Sequence, residues 1–205
     1  MIMNRAALPS ILALLALLFL ASCARAGSVE SLRSGAFDPP RAAPDFSLNG
    51  SNGTEVQLSR YRGKVVALGF GYTSCPEVCP TTMAFLAQAR QQLGAARNDF
   101  QVLYVTVDPE RDTADRLRKF VTAFDPTFIG GTGTPAQLAA ARSAYGIQVS
   151  RIGSARSGGD YLLHHSSSIY LIDRSGRLRA MMPYGVSVGD IAHDVKVLLA
   201  KPVSE

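Results

Sequence analysis

The chain has 205 residues, 47% of them hydrophobic, with 18 glycines and 11 prolines, values ordinary for one globular domain plus a targeting segment. Lys and Arg outnumber Asp and Glu by 21 to 16, a formal charge of +5, and two of the bases, Arg5 and Arg25, fall in an N-terminal stretch without acids. So small an excess, with no Lys/Arg-rich run and no aromatic-interleaved basic stripe, argues against nucleic-acid binding.

Residues 1–26 read as an address. Arg5 supplies a positive start, and Ile11 to Ala21 is an uncharged apolar run, too short for an ordinary membrane span but suited to a signal-peptide core. Ala24-Arg25-Ala26 offers a small-x-small cleavage site, while Leu20-Ala21-Ser22-Cys23 resembles a bacterial lipoprotein box in which Cys23 is lipidated. The expectation is a domain in the bacterial periplasm or on the cell-envelope exterior, tethered to the membrane through Cys23. An uncleaved N-terminal anchor and a soluble periplasmic form are the alternatives. Residues 27–43 mix Gly, Ser, Pro, Arg and Ala without period and read as a flexible linker, with the folded domain at 44–205.

Along that domain, 45–48 and 56–58 predict a hairpin around the turn-rich 49–53. The unbroken apolar runs 65–70 and 102–107 predict central strands buried on both faces. Helical spacing covers 81–93, with Met83 as a core contact; 113–124, with Asp112 available as its cap; and 134–145, with Pro135 in a tolerated first-turn position. Gly153 to Gly159 reads as a loop, 168–173 and 178–182 as a second hairpin, and 188–199 as a closing helix. Strands alternating with helices, then a hairpin and a helix, predict an α/β thioredoxin-like fold: a central mixed sheet, helices on both faces and an N-terminal β-hairpin.

With Cys23 in the leader, the domain has two cysteines, Cys75 and Cys79, at a strand-to-helix corner. Pro76 and Pro80 suit the first turn of a helix, whose free N–H groups and dipole favour thiolate over thiol. Four-residue spacing can bring both sulfurs to one side of that turn, so the pair can chelate an ion, cycle as a redox pair or close a disulfide. A structural zinc site requires four ligands and is one short here, whereas thiolates plus imidazole at low coordination number suit copper. His165 precedes the strand 168–173, where a thioredoxin-like fold faces the cysteine corner, and it is the candidate third ligand. His164 is its neighbour, which strand alternation turns the other way. His193 falls on the closing helix as a surface or capping residue. Asp108 ends a central strand, where it serves either as support for the metal site or as a turn and cap residue.

Three stretches resemble the Sco (SenC-type) proteins: Gly71-Tyr72-Thr73-Ser74-Cys75-Pro76-Glu77-Val78-Cys79-Pro80, Val107-Asp108-Pro109-Glu110-Arg111-Asp112-Thr113, and Tyr161 through His165 to Asp173. The resemblance runs in order from about Ala43 to Leu199. It implies copper, as Cu(I) or Cu(II), held by Cys75, Cys79 and His165, in a metallochaperone for the CuA centre of cytochrome c oxidase subunit II, supplied by a copper donor. The same two cysteines would be catalytic in the alternative, a thiol–disulfide oxidoreductase that draws on a thiol reductant and reduces the acceptor's cysteines. One departure is His164, where many members of that family have Asp.

Overall fold

The computed structural model describes residues 31–152 and 161–202. The leader with Cys23 and the loop expected at 153–159 lie outside the described residues. In chain order the elements are β1 (Ala36–Ala42), β2 (Ser47–Gly50), β3 (Glu55–Gln57), β4 (Val65–Gly71), α1 (Val78–Gln91), β5 (Phe100–Thr106), α2 (Ala114–Thr122), β6 (Ile129–Thr132), α3 (Pro135–Ala144), β7 (Val149–Ile152), β8 (Leu162–His165), β9 (Ile169–Ile172), β10 (Arg177–Met182) and α4 (Val188–Ala200).

The apolar runs at β4 and β5 are buried at all seven positions each, as expected of strands covered on both faces. They pair in parallel at the centre of an eight-stranded sheet ordered β1-β10-β9-β4-β5-β6-β2-β3. β6 extends the parallel block, whereas β9 lies antiparallel to β4 and begins the β9–β10 hairpin. The β2–β3 hairpin completes the other side through β6. This is the mixed, thioredoxin-like arrangement expected from the element order.

Side-chain alternation along β4 assigns the helices to faces. A side chain at Gly71 would meet Cys79 of α1, so that face carries α1, and α4 packs beside α1. Phe70 points to the opposite face, where its ring lies 5.5 Å from that of Tyr145, the residue that ends α3. Tyr170 closes this aromatic group, 5.2 Å from Tyr145. Helices therefore cover both faces, and the functional corner lies on the α1 face at the C-terminal end of β4.

Helix starts follow local chemistry. Thr134 and Gln137 form a reciprocal capping box with Pro135 just inside α3, and Ser187 caps α4. For α2 the cap is Thr113, whose hydroxyl accepts from Arg116 N, and not Asp112. Asp112 is 1% exposed and faces inward to the loop before the cysteines.

The expected linker is shorter than the sequence suggested. Residues 36–42 form β1, an edge strand paired antiparallel with β10. Pro39 and Pro40 are tolerated there because an edge strand has ladder bonds on one side only. Upstream, Arg33 N and Ser34 N donate to the fully buried Asp194 carboxylate at 2.7 and 3.0 Å, seating the chain on α4. Among the described residues no helix is long and apolar enough to cross a membrane.

Candidate metal centre

Cys75 lies in the turn after β4 and Cys79 in the first turn of α1. No side chain caps this helix; instead the Cys79 N–H, an orphan donor of the first turn, points at Cys75 Sγ at 3.4 Å. Sulfur thus occupies the place that a capping oxygen would take. Both cysteines are free thiols, Cys79 buried and Cys75 half-buried.

The loop that presents them is fixed from α2 and the turn before it. Asp112 accepts from Thr73 N at 3.1 Å, from the Thr73 hydroxyl at 2.5 Å and from the Thr106 hydroxyl at 2.7 Å. Arg116 adds bonds to the hydroxyls of Thr73 and Ser74. Beneath them, Gly71 leaves room for Tyr104: a Cβ there would come within 2.8 Å of Cys79 Sγ and closer still to the Tyr104 hydroxyl. The close approach of Tyr104 and Cys79 is the reason glycine ends β4.

His165 arrives from a separate two-stranded ribbon, β7–β8, in which it stands opposite Val149. Its Nε2 is 3.6 Å from Cys79 Sγ, and its Nδ1 is 2.9 Å from the Ser166 carbonyl, which fixes the ring with Nε2 toward the sulfurs. Tyr72 supports the ring edge-on, centroids 5.8 Å apart. The two sulfurs and the imidazole nitrogen all lie within 4.8 Å of one another. Two soft sulfurs and one borderline nitrogen at that separation can converge on a single ion with modest adjustment, and the donor set matches copper better than a hard cation.

The two thiols differ. A hydrogen bond from the Cys79 thiol, assisted by the N–H groups of Cys79 and Glu77 and by His165, pulls the Cys75 pKa down to about 5 against the opposing effect of burial. Cys79 is pushed strongly up, because its proton is held by Cys75 and its sulfur is buried. In the metal-free, reduced state Cys75, the more accessible of the two, is therefore the thiolate and Cys79 the protonated partner.

The remaining candidates separate clearly. His164 is exposed and alternates away from the sulfurs, as strand geometry predicts. His193 sits on α4 with Nε2 3.1 Å from the Ser31 carbonyl, far along the chain from the centre, and Met83 is fully buried. The Asp108 carbonyl makes the turn by accepting from Arg111 N and Asp112 N. Its side chain takes Arg111 Nε at 2.5 Å and the Tyr161 hydroxyl at 2.6 Å. The sequence reading missed Tyr72, Tyr104, Arg111 and Tyr161. The Gly71 that ends a buried strand was a usable signal for Tyr104, while the others carried none outside their motifs.

A thioredoxin-like domain in which a Cys-x3-Cys turn meets an imidazole from a distant strand defines a class of thiolate–imidazole metal-site proteins. The SCO1/SenC family model matches residues 35–200, and the chain belongs to that family. It is 32% identical over 146 residues to the SCO2-like protein of Rickettsia prowazekii, covering 71% of each chain. Among solved structures it is similar to Bradyrhizobium japonicum ScoI with copper bound, at 31% identity and a TM-score of 0.70, covering 77% of this chain and 99% of that one. It is also similar to apo Sco1 of Thermus thermophilus, at 32% identity and a TM-score of 0.76, covering 84% of this chain and all of that one.

Proposed function

We propose that this chain carries one copper ion on Cys75, Cys79 and His165 and delivers it to the CuA centre of cytochrome c oxidase subunit II. The observation that carries the reading is the convergence of three donor atoms within 4.8 Å from two elements 86 residues apart in sequence. The relative solved with copper bound supports the choice of ion, and the motif resemblance supplies the acceptor. Copper here is cargo: the thiolates favour Cu(I), the imidazole accommodates Cu(II), and a half-exposed Cys75 leaves a side from which an acceptor's ligands can enter one by one.

The reduced protein should bind one equivalent of copper and show a thiolate-to-Cu(II) charge-transfer band when Cu(II) is used. His165→Ala should lose that band while still reducing a model disulfide. Unchanged copper affinity in that variant would remove the ligand assignment.

A second reading rests on the paired thiols themselves. A Cys75 thiolate at neutral pH beside a protonated Cys79 is the arrangement of a thiol–disulfide oxidoreductase, in which Cys75 attacks and Cys79 resolves. Such a protein would reduce the acceptor's cysteines and be re-reduced by a dithiol partner. In cells lacking the protein, rescue of cytochrome oxidase by added copper supports delivery, and rescue by a thiol reductant supports this alternative.

The location proposed is the periplasmic face of a bacterial membrane, with Cys23 lipidated. The apolar run before Cys23 and the lipoprotein-like residues around it support that reading. The mass of the mature N-terminus distinguishes a lipidated Cys23 from cleavage after Ala26 and from an intact leader.

A further inference from the structure

Tyr161 immediately precedes β8, the strand that brings the imidazole to the sulfurs, and alternates onto the same face as Leu163 and His165; each of the three is held by a different contact. The Tyr161 ring lies between two guanidinium groups, with Arg111 Cζ 3.7 Å and Arg151 Cζ 3.8 Å from its centroid. Its hydroxyl donates to Asp108 Oδ1 at 2.6 Å, and its carbonyl accepts from Arg111 at 3.0 Å. Leu163 N donates to the Tyr72 hydroxyl at 3.2 Å. The His165 ring then rests against the ring of the same Tyr72. Leu162 and His164, on the opposite face, are exposed.

Arg111 connects the first contact to the others. It pairs with the buried Asp108, and its guanidinium lies 5.6 Å from the centroid of Tyr72, the residue that supports both Leu163 and His165. Arg151 arrives from β7 and pairs with Glu110 at 2.9 Å, so both strands of the ribbon are fastened to the single turn 108–111. Among the described residues, β7 and β8 share no ladder with the eight-stranded sheet. The orientation of the ribbon, and with it the place of the imidazole, is therefore set by side-chain contacts: these, together with the packing of Val149 and Leu163 against the core.

We infer that Tyr161 is a positioning residue for the metal centre: clamped between Arg111 and Arg151 and anchored on Asp108, it holds the ribbon so that His165 stays beside the sulfurs before any ion arrives. The inference rests on His165 being a copper ligand. The competing account is a surface latch that stabilises the fold without acting through His165.

The test compares the full chain with Tyr161→Ala, Tyr161→Phe, His165→Ala and the Tyr161→Ala/His165→Ala double variant. In the copper-free protein, Tyr161→Ala should raise amide exchange at least tenfold at 149–152 and 162–165, leave β4 and β5 unchanged, and abolish the proton contact between the Tyr72 and His165 rings. Tyr161→Phe keeps the ring between the guanidiniums and should keep that contact. With Cu(II), Tyr161→Ala should weaken affinity by about tenfold or more, in the range found for residues that orient metal ligands. The same change should add nothing in the His165→Ala background.

Unchanged exchange in the ribbon, or an equal loss with and without His165, overturns the inference. If His165→Ala alone leaves copper affinity intact, the copper reading fails instead, and the copper-free exchange and ring contact still decide whether Tyr161 positions the ribbon. Should Tyr161→Ala not fold, Arg151→Ala removes one side of the clamp and is read by the same measurements.

Discussion

At Cys75 the sulfur receives hydrogen bonds from its partner thiol and from the first turn of α1, and this local chemistry sets the behaviour of the reduced centre. Alkylation of Cys75 in the metal-free protein should follow a titration with its midpoint near pH 5, against about 8.5 for an unperturbed thiol. A midpoint above pH 8, followed by mass spectrometry, would contradict the hydrogen-bond geometry. The linked stability has a definite sign. The folded-state pKa lies below the unfolded one, so this group stabilises the reduced fold fully above the unfolded value of about 8.5 and loses that contribution as pH falls to about 5. Gly71 gives a second test at this scale. Gly71→Ala places a methyl against Cys79 Sγ and the Tyr104 hydroxyl, and urea unfolding should show a loss of about 1–3 kcal/mol from overpacking. The cysteines were legible because their spacing and setting are chemically unusual. Tyr104 was not, because a phenol in a buried apolar run reads as core until its hydroxyl is found in the space that a side chain at Gly71 would fill.

Elements with a strong period of their own were readable, and those defined by a neighbour were not. β4 and β5 announced themselves as unbroken apolar runs, and α3 through its Thr134–Gln137 cap and Pro135. β1 has no alternation and contains Pro39 and Pro40, so only its pairing with β10 makes it a strand. β6 holds two glycines in four residues, and β7 and β8 exist by pairing with each other. Asp112 was misread for a related reason: local sequence suggests a cap, while the tertiary demand of Thr73 and Thr106 takes its carboxylate. The N-terminal strap has its own test. Asp194→Ala leaves the amides of Arg33 and Ser34 without their acceptor and should cost about 1–3 kcal/mol. Limited proteolysis should then cut within 31–42 sooner than in the parent. An unchanged cleavage rate would mean that β1 alone holds the segment.

For the molecule as a whole, an ion that binds only the folded arrangement of Cys75, Cys79 and His165 must stabilise it. At free copper one hundred times the dissociation constant the gain is about 2.7 kcal/mol, seen as a rise in the thermal midpoint of the reduced protein. His165→Ala at the same copper concentration should show a smaller rise, and equal shifts would indicate binding by the sulfurs alone.

The seating of the N-terminal strap on Asp194 also limits geography. With β1 in the sheet and residues 33–34 fastened to α4, the chain between Cys23 and Ser31 is about eight residues long and reaches at most about 28 Å when fully drawn out. A lipid at Cys23 would therefore confine the domain to a thin shell above the bilayer, where it meets bilayer-bound neighbours far more often than free-floating ones.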